Sequence, residues 1–345
     1  MSTTVPNHLS DSYELVSLPS ASFGRVVRSR DDASAKRLIE TAEENPSALT
    51  DIFYACGGLL LLPGMHHISE EPELLVRFSR LFGREVENNL DTYTEGNQTL
   101  FNIHQTVPEI LLVTNLPPIC RQPMARPDPW LTEDGKFPTR FPHRRGWHTD
   151  QSFRRPPPDI SLFYAVQPTP KGQGQTMFAD STGAYSTLSQ ELRQRIEKRE
   201  GMHALPGTNR SETAVRDGLE PKELAPHQAP QRQPLVRIHP VTGKPALYMC
   251  ESGQMDWVTG PIAGMEPGPG REGAKLVYEL MTHITQYTYT HEWDPGDLII
   301  YDNRNLLHAP TWYDAEKFSR VMWRTTVRGN PGPEYEGEAP SWIPH

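Results

Sequence analysis

Cysteine is scarce in this chain and positive charge is outnumbered. Only three cysteines occur in 345 residues, Cys56, Cys120 and Cys250, an odd number with no close spacing. That pattern argues against a disulfide framework and fits a reducing compartment, so the cytoplasm is the expected location. No uninterrupted run of 18 apolar residues exists, the longest candidate being the short stretch Gly57-Gly58-Leu59-Leu60-Leu61-Leu62, so no transmembrane helix is expected. Met1 to Asp11 is polar and is expected to be neither a signal peptide nor an anchor. Lys and Arg number 34 against 43 Asp and Glu, a net charge of -9, which argues against nucleic acid or an anionic membrane as a partner. A local arginine cluster can still attract a small anion against that global sign. Internal repeats are also lacking. What remains, 36% hydrophobic and 22% charged, is the composition of a soluble globule with a sizeable core.

Taken in order, Asp31 to Asn45 reads as a helix ended by Pro46, Asp51 to Leu62 as a buried strand, and Glu70 to Phe82 as a second helix with acidic residues in its first turns. Leu111-Leu112-Val113 reads as a strand within residues 107 to 145, which otherwise form a long Pro- and Arg-rich loop of the kind that serves as a lid or a surface excursion. Ile160 to Val166 and Gln175 to Phe178 read as strands, and Ser181 to Glu200 as a helix. Residues 205 to 233, polar and rich in Pro and Gln, read as an insertion or mobile flap. Leu235 to Ile238, Ala246 to Met249, Thr288 to Trp293, Leu298 to Tyr301 and Phe318 to Val327 complete a series of short strands, with a helix at Glu272 to Tyr287. A mainly β chain of this kind, with flanking helices, fits a double-sheet jelly roll.

The chemistry gathers at Gly146-Trp147-His148-Thr149-Asp150-Gln151-Ser152-Phe153. In an extended segment residues i and i+2 share a face, so His148 and Asp150 can offer an imidazole and a carboxylate side by side. A third ligand is needed, and His308 within Asn305-Leu306-Leu307-His308-Ala309-Pro310 is the candidate. Two His and one carboxylate with open positions form the facial triad of non-haem Fe(II) oxygenases. Taken alone, a His-x-Asp is weak, since most histidines are hydrogen-bonded surface or core residues. Downstream, the strand Phe318 to Val327 puts Arg320, Met322 and Arg324 on one face and Val321, Trp323 and Thr325 on the other. Apolar residues on the second face imply that both faces are buried, and a buried guanidinium needs an anionic partner, for which its planar fork suits a carboxylate.

This set resembles the TauD/TfdA-like (taurine dioxygenase) family of Fe(II)- and 2-oxoglutarate-dependent oxygenases. The resemblance rests on His148-x-Asp150, His308 and Arg320, joined by Ser152-Phe153, Gly174-Gln175-Thr176-Met177-Phe178-Ala179-Asp180, Gly296-Asp297-Leu298, Tyr301-Asp302-Asn303-Arg304 and Arg320-Val321-Met322-Trp323-Arg324. These pieces occur in the family's order over residues 145 to 330, and residues 50 to 90 match more loosely. The resemblance implies a double-stranded β-helix, a cupin-like jelly roll, as the core of a single oxygenase domain spanning 31 to 345, with residues 1 to 30 as an N-terminal extension and the loops 107 to 145 and 205 to 233 as lids. It implies Fe(II) on His148, Asp150 and His308, 2-oxoglutarate as cosubstrate gripped by Arg320 with Thr176 assisting, and O2 as oxidant. Thr176 also has an ordinary reading as a β-propensity residue packed in a strand.

The substrate is left open by these residues. The family match at Arg324 implies contact with an anionic group of the substrate, while the plain alternative is an ion pair with a neighbouring protein carboxylate. Arg144 stands four residues before His148, where taurine dioxygenase has an uncharged amide, which argues against taurine, and His143 beside it could also face the substrate. Hydroxylation, desaturation and cyclisation all remain open, as do a cupin-type metalloprotein with a reaction that does not use 2-oxoglutarate and a non-catalytic ligand-binding jelly roll. The expected partner is a small molecule, and a dimer or tetramer is plausible from the general preference for symmetric assemblies.

Overall fold

A computed structural model describes residues 13–30, 35–95, 98–126, 131–135, 138–251 and 253–328. The polar stretch Met1 to Asp11 lies outside the described residues. Two sheets carry the fold. The larger has nine strands. Its labelled members are β1 (Tyr13–Ser17), β2 (Arg25–Ser29), β3 (Leu59–Leu62), β4 (Leu111–Thr114), β5 (Ile160–Gln167), β8 (Leu298–Asp302) and β10 (Val321–Arg328). Across the sheet they run β1-β2-β3-β8-β5-β10-β4, all antiparallel except the parallel pair β2 and β3. The smaller sheet places β6 (Thr176–Asp180) between β7 (Thr288–His291) and β9 (Leu306–Pro310).

The two-residue period of a strand explains the layering. In β3, Leu60 and Leu62 face outward into a cluster with Leu38, Leu49, Phe53 and Phe78 of the N-terminal helices, while Leu59 and Leu61 face inward. In β8, Leu298 and Ile300 join the outer cluster, and Ile299 and Tyr301 join Phe178, Tyr289 and Leu306 between the sheets. On the smaller sheet the alternation reverses its partners: Phe178 points inward, whereas Met177, Ala179, Leu307 and Ala309 pack outward against Leu276, Val277 and Leu280 of the helix Glu272–Ile284. Both sheets are thus covered on their outer faces by helices and meet at their inner faces. Strands buried on both sides read as near-continuous apolar runs.

Several expectations are corrected. Residues 51 to 62 are not one strand. Ser47–Ala55 is a helix that buries Ala48, Leu49, Ile52 and Phe53 at helical spacing, and only Leu59–Leu62 is extended. Gly57 and Gly58, at φ +91° and +76°, make the turn between them. The second helix is shorter than expected, Glu73–Arg80, because Pro72 sits at its N-cap. Ser181 to Glu200 splits into Ser181–Ser186 and Gln190–Ile196, the second capped by Ser189, before a strand at Glu200–His203. Residues before 31 are not a mere extension, since β1 and β2 pair with each other and β2 continues the main sheet at Leu60 and Leu61. The 205 to 233 segment is partly ordered, with a helix at Glu212–Arg216 and a strand, Gln231–Pro234, paired to Glu200–His203.

One buried charge cluster pins the turn after β8. Arg304 donates Nε to Asp302 Oδ1 and Nη2 to Asp302 Oδ2, both at 2.8 Å, and His239 Nε2 lies 2.8 Å from Oδ2. Both Arg304 and Asp302 are buried, so removing one partner leaves an uncompensated charge. Arg304→Ala should therefore lower unfolding free energy by about 3–5 kcal/mol in urea melts, while Arg77→Ala, at an exposed pair with Glu43, should change it by about 1 kcal/mol or less.

Glu87 makes a second buried anion, held by Arg154 and Arg328 with Gln151 donating at 2.9 Å. Burial alone would raise its pKa, but the two guanidiniums overcome it and hold the group at about 2 against 4.5. A depressed folded pKa means the stabilisation is present above about 4.5 and is lost as pH falls toward 2. The stability gap between wild type and Glu87→Gln should accordingly narrow between pH 5 and pH 2.5; a gap independent of pH in that window would contradict this assignment.

Candidate active site

One backbone bridge registers His308 of the smaller sheet against His148 on the loop before β5. His148 N donates to His308 O at 2.9 Å and His308 N donates to His148 O at 2.7 Å, an isolated antiparallel bridge. That bridge sets two imidazoles side by side with ring centroids 4.2 Å apart. Asp150 lies on the same side, and one ligand atom each from His148, Asp150 and His308 falls within 4.8 Å of the others.

The loop carrying His148 and Asp150 is fixed from several directions. Gly146 has φ +91°, a backbone conformation that favours glycine. Buried Glu251 accepts the Gly146 and Trp147 amides. Gln151 takes φ 49°, unusual for a side-chain-bearing residue, and its amide is clamped by Glu87 and Arg154. Asn303, in the turn after β8, accepts the Asp150 amide at 3.1 Å through Oδ1 and accepts Thr149 Oγ1 through its carbonyl at 2.7 Å.

The three side chains are electrically prepared. His148 Nδ1 lies 2.9 Å from Gly146 O, so that nitrogen carries the proton and Nε2 keeps its lone pair. Burial lowers the pKa of both imidazoles, His308 to about 3 with the neighbouring His148 adding to the effect, so both stay neutral. Burial would raise the Asp150 carboxyl, yet Arg324 and the two imidazoles outweigh it and hold the acid well below its usual range. Oδ2 of Asp150 accepts Tyr301 at 2.7 Å and Ser161 at 2.9 Å, while Oδ1 accepts Arg324 Nη1 at 2.6 Å. Oδ1 also lies 3.8 Å from His308 Nε2. Two neutral imidazoles and one ionised carboxylate converging on a point are a donor set suited to a divalent transition metal.

Above these residues opens a cavity of about 380 Å³ lined by Trp147, Phe163, Thr176, Tyr301, Arg320 and Arg324 among others. Arg320 is buried and has no carboxylate partner among the described residues. Its Nη2 donates to Gly174 O at 3.3 Å, its guanidinium stands 5.7 Å from the Phe163 ring centroid, and Nε finds no acceptor. Burial pulls its pKa down to about 10, the signature of a cation awaiting an anion. Thr176 Oγ1 accepts Trp293 Nε1 at 3.0 Å and lines the same cavity.

Arg320, immediately before β10, and Arg324 within it thus open into the same cavity, and Arg324 takes the ion-pair position on Asp150. Arg144 and His143 do not line the cavity. A turn in which Arg144 N bonds Arg140 O carries the Arg144 side chain back onto Pro310 O, buried away from the opening, and His143 is exposed. The next residue, Arg145, pairs with Glu212 and Glu251. Ser161, Tyr301 and Asn303, which orient Asp150, were not singled out as site residues from the sequence. Tyr301 and Asn303 stand in the quoted Tyr301-Asp302-Asn303-Arg304 piece, but Ser161 carries no local signal within an apolar strand.

Comparison with known proteins now bears on this geometry. Residues 32–326 match the profile of "Taurine catabolism dioxygenase TauD, TfdA family". The chain is 32% identical over 195 residues to the (S)-phenoxypropionate/alpha-ketoglutarate-dioxygenase of Sphingobium herbicidovorans, a match covering 55% of this chain and 64% of that protein. It is 28% identical over 338 residues to pentalenolactone F synthase of Streptomyces arenae, covering 94% of this chain and 99% of that one. The crystal structure of AAD-2 in complex with Mn(II) and N-oxalylglycine superimposes with a TM-score of 0.65 at 23% identity, covering 92% of this chain and 98% of the other, a likeness of fold. The profile match takes in the smaller sheet, the larger one from β3 to all but the last two residues of β10, and every residue of the His148, Asp150 and His308 cluster: this chain belongs to the TauD, TfdA family of dioxygenases.

Proposed function

We propose that the protein is an Fe(II)- and 2-oxoglutarate-dependent dioxygenase that oxidises a C–H bond of a small anionic molecule. On this reading the two facing sheets are a double-stranded β-helix, and residues 31 to 345 form one oxygenase domain. The observation that carries it is Arg320: a buried, carboxylate-free guanidinium opening into the same cavity as two neutral imidazoles and an ionised aspartate. A cupin with other chemistry has no need of that cation, and a fixed cation facing a metal-ligand cluster suits a dicarboxylate that spans the two.

His148, Asp150 and His308 would hold the iron. When bound, the iron supplies activation of O2 against the keto acid, with one oxygen atom ending in succinate, the other in the product, and C1 leaving as CO2. The chain's own residues set the conditions for this. Arg320 fixes the distal carboxylate of 2-oxoglutarate, and Thr176, held by Trp293, stands beside it as a second hydroxyl contact. Tyr301 and Ser161 donate to Asp150 Oδ2 and keep the carboxylate from rotating, while Arg324 stabilises its charge. Apolar walls from Val113, Met124, Trp147 and Phe163 keep bulk water away from a reactive centre. Residues Gln122 to Met124 from the first long loop and Pro206 from the second reach the cavity rim, so both loops are placed to act as lids.

Substrate breadth is drawn from the relatives. Two of them are named for a phenoxypropionate and for pentalenolactone F, and the anionic substrate proposed here follows the first.

Succinate should form from 2-oxoglutarate only with Fe(II) and O2 present, and His148→Ala and His308→Ala should each remove at least about 10²-fold of that turnover, measured as succinate by mass spectrometry. Wild-type rates in either variant would reject the proposal. Arg320→Ala should raise the KM for 2-oxoglutarate by about 10- to 100-fold, the scale of a lost charge-assisted pair. An unchanged KM would mean that the dicarboxylate lies elsewhere.

A further inference from the structure

The cavity holds a third arginine that the site as described does not use. Arg121 follows β4 on a loop that is tightly placed. Its backbone N donates to Thr114 O at 3.0 Å. Asn102 clamps the same loop, with Nδ2 donating to Leu116 O at 3.2 Å and Ile119 O at 3.0 Å while Oδ1 accepts the Ile119 amide at 3.2 Å. The Arg121 guanidinium carbon stands 5.9 Å from the Phe101 ring centroid, and the residue lines the cavity that holds Arg320 and Arg324. Its side chain is open to solvent, and among the described residues it pairs with no carboxylate.

Charge balance gives this arginine a task. Asp150 is the one carboxylate among the cavity-lining residues, facing Arg121, Arg320 and Arg324. Arg324 is committed to Asp150 at 2.6 Å. If the proposed function holds, a divalent metal and the 2-oxoglutarate dianion cancel each other and Arg324 cancels Asp150, so the charges of Arg320 and Arg121 remain in surplus. Arg320 is occupied by the distal carboxylate, which leaves Arg121 as the cation with no anion in contact. An anion entering beside the apolar walls of Val113, Met124 and Phe163 would relieve the imbalance.

We propose that Arg121 is the anchor for the anionic group of the primary substrate, which it takes in place of Arg324, and that the substrate is a carboxylate or comparable anion on a compact apolar body. This rests on the function proposed above. Because the loop is already fixed by Asn102 and Thr114, the anchor costs little ordering on binding, and it lies outside the metal cluster, so it selects the substrate without altering the oxidant.

The test uses the full chain loaded with Mn(II) and 2-oxoglutarate under anaerobic conditions, so that no turnover occurs. Calorimetry first measures 2-oxoglutarate binding, then titrates phenylacetate and its neutral isostere phenylacetamide. Wild type should prefer the acid by about tenfold or more, the scale of one charge-assisted contact. Arg121→Gln should remove that preference and Arg121→Lys should keep most of it, with 2-oxoglutarate affinity unchanged in both. Equal response to acid and amide in wild type, absence of binding by both included, overturns the assignment, and so does a preference that survives in Arg121→Gln, which would place the anion on Arg324. Failure of 2-oxoglutarate to bind the metal-loaded wild type would instead reject the proposed function.

Discussion

Everything at this site depends on keeping one carboxylate ionised in the interior. Asp150 lies between two sheets where desolvation favours the neutral acid, and an isolated anion in such a place would cost several kcal/mol. The chain meets that cost with four groups from three separate strands and a turn: Arg324 on Oδ1, Tyr301 and Ser161 on Oδ2, and Asn303 on the Asp150 amide. Asn303 also donates to Ser161 at 2.9 Å, closing the network on itself. A network satisfied at every member rigidifies; one left half satisfied would be worse than an apolar core. The same contacts that make the buried charge tolerable therefore fix where its free lone pairs point.

The sandwich makes that network possible. Because side chains alternate along each strand, β5, β8 and β10 each supply polar groups to the inner layer while their alternate residues pack against the N-terminal helices. Ser161, Tyr301 and Arg324 are inward residues of three strands that are hydrogen-bonded neighbours in the sheet, with Tyr301 opposite Ser161 and Arg324 opposite Phe163. His308 arrives from the facing sheet and meets His148 through a backbone bridge, so the two imidazoles are registered by main-chain bonds and do not depend on side-chain packing alone.

Some of this was legible in the residues and some was not, for physical reasons. The i, i+2 spacing of His148 and Asp150, and of Arg320, Met322 and Arg324, survives into the structure because strand period is a local property. The inward direction of the arginine face could be argued because Trp323 needed the other side. By contrast, Ala48, Leu49, Ile52 and Phe53 are as compatible with a buried helix as with a strand, and the Gly57-Gly58 turn that divides them gave no decision on which side of it was extended. Arg144 and His143 were placed near the substrate by sequence proximity to His148. A tight turn there sends Arg144 onto Pro310 O, beside the cavity but not among its lining residues, and leaves His143 exposed. Arg121 stands 27 positions before His148 in a stretch without pattern, and only the clamp from Asn102 brings it to the cavity.

Separation of duties among the arginines has a consequence for how such a site can change. Arg324 lies on β10, a central strand paired on both sides, where a substitution disturbs the sheet and the Asp150 network together, and Arg320 immediately precedes that strand. Arg121 lies on a loop whose backbone bonds do not involve its own side chain, so that side chain can be exchanged with little effect on the fold. On the proposed reading, exchange at this one loop position alters what is oxidised and leaves the His148, Asp150 and His308 cluster and Arg320 in place. Loops carried on a rigid sheet are where specificity is cheapest to vary.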